Sequence, residues 1–171
     1  ALYARRLDAL AADPRPPRRT LATDPWPLGE DVDLRLLATP AWRGRDDLGA
    51  LLRAWSQLTS SATRACLYLL ADPAVDGKPA ELEARVLEAA AESGAALEDC
   101  ADINVLMEPS SPERDPRLHA AVGAYLPLHA ACAGHVRLAR AAGNAVLSLA
   151  GARSLSDWLA RASLTPLPRA A

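Results

Sequence analysis

The sequence contains no phenylalanine, one methionine and a single lysine, Lys78. Without phenylalanine, the hydrophobic core is expected to consist mainly of leucine, alanine and valine, with four tryptophans and three tyrosines added. No apolar run reaches the roughly 18 residues that a membrane span requires. The net charge of −2 provides no general attraction to nucleic acid, which binds basic surfaces. We therefore expect neither a membrane span nor a nucleic-acid partner.

Other absences narrow the possible chemistry. The three cysteines have no paired spacing, and no CxxC or Cys/His pattern occurs, so the sequence predicts no metal and no cofactor and favours a reduced, cytoplasmic setting. The glycine-rich dinucleotide, Walker, HExxH and GxSxG motifs are also missing, which leaves dehydrogenases, P-loop NTPases, zinc proteases and serine hydrolases without support. Because the chain begins at Ala1 rather than methionine, we expect a processed product or a piece of a longer protein.

The composition divides the 171 residues into three parts. Residues 1–33 combine a short amphipathic pattern over 2–12 with a proline-rich arm, which Trp26 is expected to attach to the body by burying its ring. Residues 34–162 alternate apolar runs with helical patterns and are predicted to form one domain. Residues 163–171 form a tail that is expected to fray.

Five apolar runs in the central part are predicted strands, at 34–38, 66–71, 103–107, 124–128 and 145–149. Their apolar residues are continuous rather than alternating, which is typical of strands buried on both faces. Helical patterns separate consecutive runs, so the connections are crossovers and the strands are parallel. The sequence therefore predicts an α/β fold with a doubly wound, Rossmann-like parallel sheet and helices on both faces.

The first helical pattern, over 46–58, contains the clearest prediction of packing. Leu52 and Trp55 fall on one apolar stripe, which is expected to face the sheet. Asp46 or Asp47 is positioned to cap the start of this helix.

Three segments of the central part resemble a known family. They are 39–55 (TPAWRGRDDLGALLRAW), 118–128 (LHAAVGAYLPL) and 137–148 (RLARAAGNAVLS). In this order and spacing they resemble the C-terminal, nucleotide-sugar-binding lobe of GT-B glycosyltransferases of the family-4 type. The resemblance implies the strand order 3-2-1-4-5, a nucleotide sugar as the ligand, and a second lobe or another domain as a partner.

The chain departs from this family at the residues that bind the sugar nucleotide. The family has two glutamates, eight positions apart, around the fourth loop and helix, whereas the matching window 129–140 (HAACAGHVRLAR) contains no acidic residue. The family also has a lysine beside an arginine in the first loop, whereas Arg45 is followed by Asp46. The resemblance therefore implies a glycosyltransferase-like lobe that is inactive alone. The alternative is a non-catalytic lobe for structure or protein interaction.

The candidate binding residues follow from the expected topology. Ligands of open parallel sheets bind beyond the carboxyl ends of the strands, where the strand order reverses. Arg43 and Arg45 in the first loop are candidates for binding a diphosphate, because guanidinium groups match phosphate oxygens in geometry. Gly134 opens a helix in the fourth loop, and a helix N-terminus favours anions. An ordinary exposed arginine pair and an alanine-rich helix start would give the same pattern.

The histidines and one carboxylate complete the candidates. His129 and His135 flank the fourth loop, where they are expected to hydrogen-bond a sugar or phosphate, to serve as acid/base groups, or to be simply structural or solvated. His119 falls within a helical pattern and is predicted to be a surface residue. Glu108 follows the third strand at the ligand-binding end, as an exposed loop carboxylate.

Overall fold

A computed structural model describes residues 24–44, 47–149 and 154–164. Several predictions concern residues outside these ranges, namely the helix over 2–12, the first part of the proline-rich arm, Arg45, Asp46 and the tail from 165 onward.

Five parallel strands form one sheet in the order β3-β2-β1-β4-β5, which confirms the predicted direction and order. The strands are β1 (Leu34–Thr39), β2 (Ala65–Ala71), β3 (Asp102–Met107), β4 (Ala124–Pro127) and β5 (Ala145–Val146). The helices are α1 (Leu48–Leu58), α2 (Pro79–Ser93), α3 (Arg114–Ala120), α4 (Ala133–Ala141) and α5 (Leu155–Leu164), and a 3₁₀ turn over Ala130–Cys132 leads into α4. The fold is thus the predicted Rossmann-like α/β arrangement.

Helices cover both faces of the sheet. One hydrophobic cluster joins the sheet to α1, α2 and α5, and a second joins it to α3 and α4. Leu52 and Trp55 are fully buried in the first cluster, as their shared stripe predicted. The indole Nε1 of Trp55 donates a hydrogen bond to the carbonyl oxygen of Ala101 at 3.0 Å, so its polar atom is satisfied within the core.

The segment before β1 lies on the same face as α3 and α4. Trp26, Leu28 and Val32 pack against the second hydrophobic cluster. The Trp26 backbone N–H donates to the Arg117 carbonyl oxygen at 2.9 Å, and the Arg117 guanidinium lies 5.3 Å from the centre of the indole ring. The ring therefore attaches the arm to the domain, as expected from the sequence.

Three local features differ from expectation. β5 has two residues rather than five: its ladder with β4 ends at Val146, although Leu147 is buried and still donates to the Tyr125 carbonyl oxygen. β3 lies at the edge of the sheet and is only half-buried, although its apolar run predicted burial on both faces. Asp47 occupies the N-cap position of α1 but makes no capping hydrogen bond through its side chain.

Among the described residues, no helix has the length and apolar character needed to span a bilayer.

Candidate functional site

A cleft of about 390 Å³ opens at the carboxyl edge of the sheet. It lies where β1 and β4 are neighbours and the strand order reverses, and the start of α4 forms part of its wall. This is the position where open α/β sheets bind ligands. Its polar lining residues are Thr39, Arg43, Asp72, Asp76, Glu108, Ser110, Arg114, His129, Cys132 and His135.

The structure brings three of the five candidate residues together in this cleft: Arg43, His129 and His135. Arg43 is exposed, and its Nε donates to the Asp76 carbonyl oxygen at 3.4 Å. Arg45 lies outside the described residues.

Gly134 does not line this cleft. It lies in the first turn of α4 and lines a neighbouring pocket, which His135 and Ser110 border as well. A Cβ built at Gly134 would have no atom within 4 Å, so packing does not require glycine at this position.

A buried polar cluster connects the end of β1 with the start of α4. The Thr39 hydroxyl lies 2.6 Å from the Tyr125 hydroxyl and 2.9 Å from the Cys132 sulfur. Burial favours the neutral Cys132 thiol, but hydrogen bonds from His129, Thr39 and Tyr125 outweigh it and lower the thiol pKa to about 7. The sequence did not reveal this cluster, because its members are up to 93 positions apart and meet only through the pairing of β1 with β4.

Two histidines pack against each other beside the cleft. His119 Nε2 and His135 Nδ1 are 3.0 Å apart, and the His119 ring meets Tyr125 edge-on with 5.2 Å between the ring centres. Burial, followed by the charges of neighbouring basic groups, lowers the pKa of His119 to about 3 and that of His135 to about 4. The prediction that His119 is a surface residue is wrong: it is fully buried, because its ring lies against Tyr125 of β4 and His135 of α4.

Arg114 is a further site residue that the sequence did not reveal. Its side chain is 4% exposed and lines the cleft. Nη1 donates to the Glu108 carbonyl oxygen at 2.5 Å, Nη2 pairs with the Asp115 carboxylate, and Nε has no hydrogen-bond partner among the described atoms. Burial lowers the pKa of this guanidinium, and the charges of Glu108 and Asp72 oppose the shift.

Two carboxylates of the cleft accept hydrogen bonds from backbone N–H groups. Asp72 accepts hydrogen bonds from the N–H groups of Ala74 and Ser110, at 2.9 and 3.1 Å, and these bonds lower its pKa. Asp76 accepts one from the Asp72 N–H at 2.7 Å. These bonds order the loop after β2. Within the described ranges, no group of three or more potential ligands is arranged to hold a metal ion.

Comparisons with protein-family models, with curated proteins and with solved structures gave no match for this chain.

Proposed function

We propose that this chain is a glycosyltransferase-like lobe of the GT-B type, and that its cleft binds the diphosphate of a nucleotide sugar. The observation that carries the proposal is the position of the cleft at the carboxyl ends of β1 and β4, where the strand order reverses. Arg43, His129 and His135, which were candidates from the sequence, all line it.

The cleft is lined by charges of both signs. A ligand is therefore expected to be held by a few directed hydrogen bonds rather than by a strongly positive surface. Arg43 and Arg114 provide formal positive charge, and the N-terminus of α4 adds the positive end of a helix dipole. Three carboxylates line the same cleft, on Asp72, Asp76 and Glu108. We therefore expect weak binding that depends on individual donors.

Transfer of the sugar is not expected from this chain alone. The window 129–140, which covers most of α4, has no acidic residue to bind the sugar or the ribose hydroxyls. Positioning of donor and acceptor together supplies much of the rate of a two-substrate reaction, and a single lobe holds only one of them. The same lack of acidic residues favours a second candidate, a non-catalytic lobe that serves structure or protein interaction.

Calorimetric titration of the full chain with nucleoside diphosphates and nucleotide sugars tests the proposal. We expect binding at high micromolar to millimolar ligand concentrations, and Arg43→Ala should weaken it about tenfold, because a charge-assisted hydrogen bond is lost. Arg53→Ala is the matched control, since Arg53 is also an exposed arginine but does not line the cleft. If no nucleotide binds at millimolar concentration, the nucleotide-binding proposal fails and the structural candidate remains.

A further inference from the structure

The wall of the cleft formed by α3 and α4 contains two donors that the family resemblance does not account for. Arg114 belongs to α3 and His135 to the first turn of α4, and both line the cleft. The positive charge of Arg114 also contributes to the lowered pKa of His135.

Arg114 has one unused donor. A buried N–H group without a partner costs free energy, so such groups are rare in folded proteins. The two terminal nitrogens of Arg114 hold the Glu108 carbonyl and the Asp115 carboxylate, which fixes the plane of the guanidinium. The remaining Nε–H is buried and unpaired, while the side chain lines an open cleft. Because this buried atom has almost no accessible surface, the Arg114 side chain must shift slightly for a ligand oxygen in the cleft to accept from this donor.

The histidine pair determines which nitrogen of His135 can donate. His119 Nδ1 is buried without a partner, and an unpaired lone pair is tolerated there more readily than an unpaired N–H. The proton of His119 therefore belongs on Nε2, where it is donated to His135 Nδ1 at 3.0 Å. With Nδ1 acting as an acceptor, neutral His135 carries its proton on Nε2, and that N–H can donate to a ligand.

We propose that the Arg114 Nε–H and the His135 Nε2–H form an oxyanion subsite for a phosphoryl group of the ligand, with His119 as the positioning residue that selects the His135 tautomer. The subsite requires a cleft ligand and in this respect rests on the proposed function. A phosphoryl group suits it, because its several oxygens accept hydrogen bonds from two differently placed donors.

Long-range ¹H–¹⁵N correlation spectra of the labelled full chain test the tautomers directly. We expect protons on Nε2 and bare Nδ1 nitrogens in both His119 and His135 at pH 7. His119→Phe should remove the preference of His135 for the tautomer protonated on Nε2. His135 should then show the averaged nitrogen chemical shifts of a mixture of tautomers. A proton on Nδ1 of either histidine in the wild-type chain would overturn the assignment of donors.

Titration with inorganic pyrophosphate tests the subsite itself. His135→Leu removes the donor and should weaken binding roughly tenfold, whereas His135→Gln keeps an N–H near the same position and should retain most of the affinity. Arg114→Lys keeps the charge without the Nε–H and should also weaken binding. Arg137→Gln is the control, because Arg137 is an exposed residue of α4 that does not line the cleft.

The two proposals fail in distinguishable ways. If pyrophosphate binding depends on His135 but nucleotides bind no more tightly than pyrophosphate, the subsite stands and the nucleotide-binding proposal fails. If nucleotides bind with equal affinity to the wild type and to His135→Leu, the subsite fails and the nucleotide-binding proposal stands. Absence of pyrophosphate binding overturns the subsite, and His135→Leu remains informative even if Arg114 variants do not fold.

Discussion

Two buried cysteines on the same face of the sheet have opposite acid–base properties. Cys66 and Cys132 both belong to the hydrophobic cluster beneath α3 and α4. The pKa of the Cys66 thiol is raised to about 11, by burial and, to a lesser degree, by the negative charge of Glu30. The pKa of the Cys132 thiol is lowered to about 7 despite its burial. Burial is therefore not what distinguishes the two thiols.

The polar neighbours explain the difference. Beside Cys66, the Glu30 carboxylate accepts hydrogen bonds from the Tyr68 hydroxyl at 2.6 Å and from Asn104 Nδ2 at 2.5 Å. This arrangement places a negative charge near the sulfur and attaches the arm to β2 and β3. Cys66 also has hydrogen-bond donors, Tyr68 and Asn104, but their effect on its pKa does not outweigh that of burial and the nearby charge. Beside Cys132 the donors do outweigh burial, and the start of a helix adds a positive dipole end. The polar groups beside Cys66 attach the arm to the sheet, whereas those beside Cys132 lie next to the cleft.

The largest expected difference between the surroundings of the two cysteines appears on acidification. His119 and His135, beside the Cys132 cluster, have pKa values of about 3 and 4, below the value of about 6.5 in an unfolded chain. The unfolded state therefore binds more protons below pH 6.5, so stability is greatest above that pH and falls as the pH decreases. Between pH 7 and pH 5 we expect a loss of about 2 kcal/mol per histidine in the free energy of unfolding.

Chemical denaturation at several pH values measures this loss. The double variant His119→Leu with His135→Leu serves as the control, because it removes both titrating groups and should flatten the dependence between pH 5 and pH 7. If the wild type is equally stable at both values, the histidines are not held in the neutral form by burial.

The second difference concerns thiol reactivity. At pH 7, a thiol with a pKa of about 7 is half ionised, whereas one with a pKa of about 11 is ionised in about one molecule in ten thousand. The lower intrinsic nucleophilicity of the more acidic thiolate removes about two powers of ten from this advantage. We therefore expect iodoacetamide to alkylate Cys132 about a hundredfold faster than Cys66 in the folded chain.

Peptide mass spectrometry of the alkylated chain measures the two rates, with Cys132→Ser to verify the assignment. Alkylation in denaturant is the control, since the two thiols should then react at similar rates. Equal alkylation rates of the two cysteines in the native chain would contradict the expected difference in thiol reactivity.

Most of the fold could be predicted from the sequence because each strand is a separate apolar run. β2, ACLYLLA, is buried along its whole length, as a continuous run predicts for a strand covered on both faces. The end of β5 could not be predicted, since apolarity reports burial rather than strand pairing. Leu147 has the burial of a strand residue, but the ladder between β4 and β5 pairs only Ala145 and Val146 of β5.

The third expected difference concerns the charge beside Cys66. Glu30→Gln replaces a carboxylate that accepts from two donors by an amide that accepts at one atom only. Its NH₂ group would face Tyr68 or Asn104 donor-to-donor, so we expect a loss of about 2 kcal/mol in the free energy of unfolding. Glu83→Gln, on the exposed side of α2, is the matched control and should change stability by no more than about 0.5 kcal/mol.

Denaturant titration of the two glutamate variants provides this measurement. Glu30→Gln should also raise the alkylation rate of Cys66, because the Glu30 charge contributes to its raised pKa. If Glu30→Gln and Glu83→Gln are equally stable, the carboxylate does not attach the arm to the sheet.

The candidate site was predictable in position but only partly in composition. The rule for parallel sheets located the cleft, and it favoured the loop residues Arg43, His129 and His135. Applied to strand ends as well, the rule would have drawn attention to Thr39, a polar residue that closes an apolar strand. No sequence pattern distinguishes buried Arg114 from an exposed arginine, because its burial depends on how the β3–α3 connection packs.

The smallest expected effect isolates the contribution of a single neighbour to the Cys132 thiol. Of the hydrogen bonds that lower the pKa of Cys132, the one from His129 contributes most. His129→Ala removes it, so the midpoint of the alkylation rate against pH should rise by about one unit, equivalent to about 1.4 kcal/mol. His135→Leu is the matched control, because His135 also lines the cleft but does not contribute to the shift of the Cys132 pKa. Its alkylation midpoint should stay near 7. If His129→Ala leaves the midpoint unchanged, Thr39 and Tyr125 lower the pKa without the histidine, and the contrast with Cys66 depends on hydroxyl donors alone.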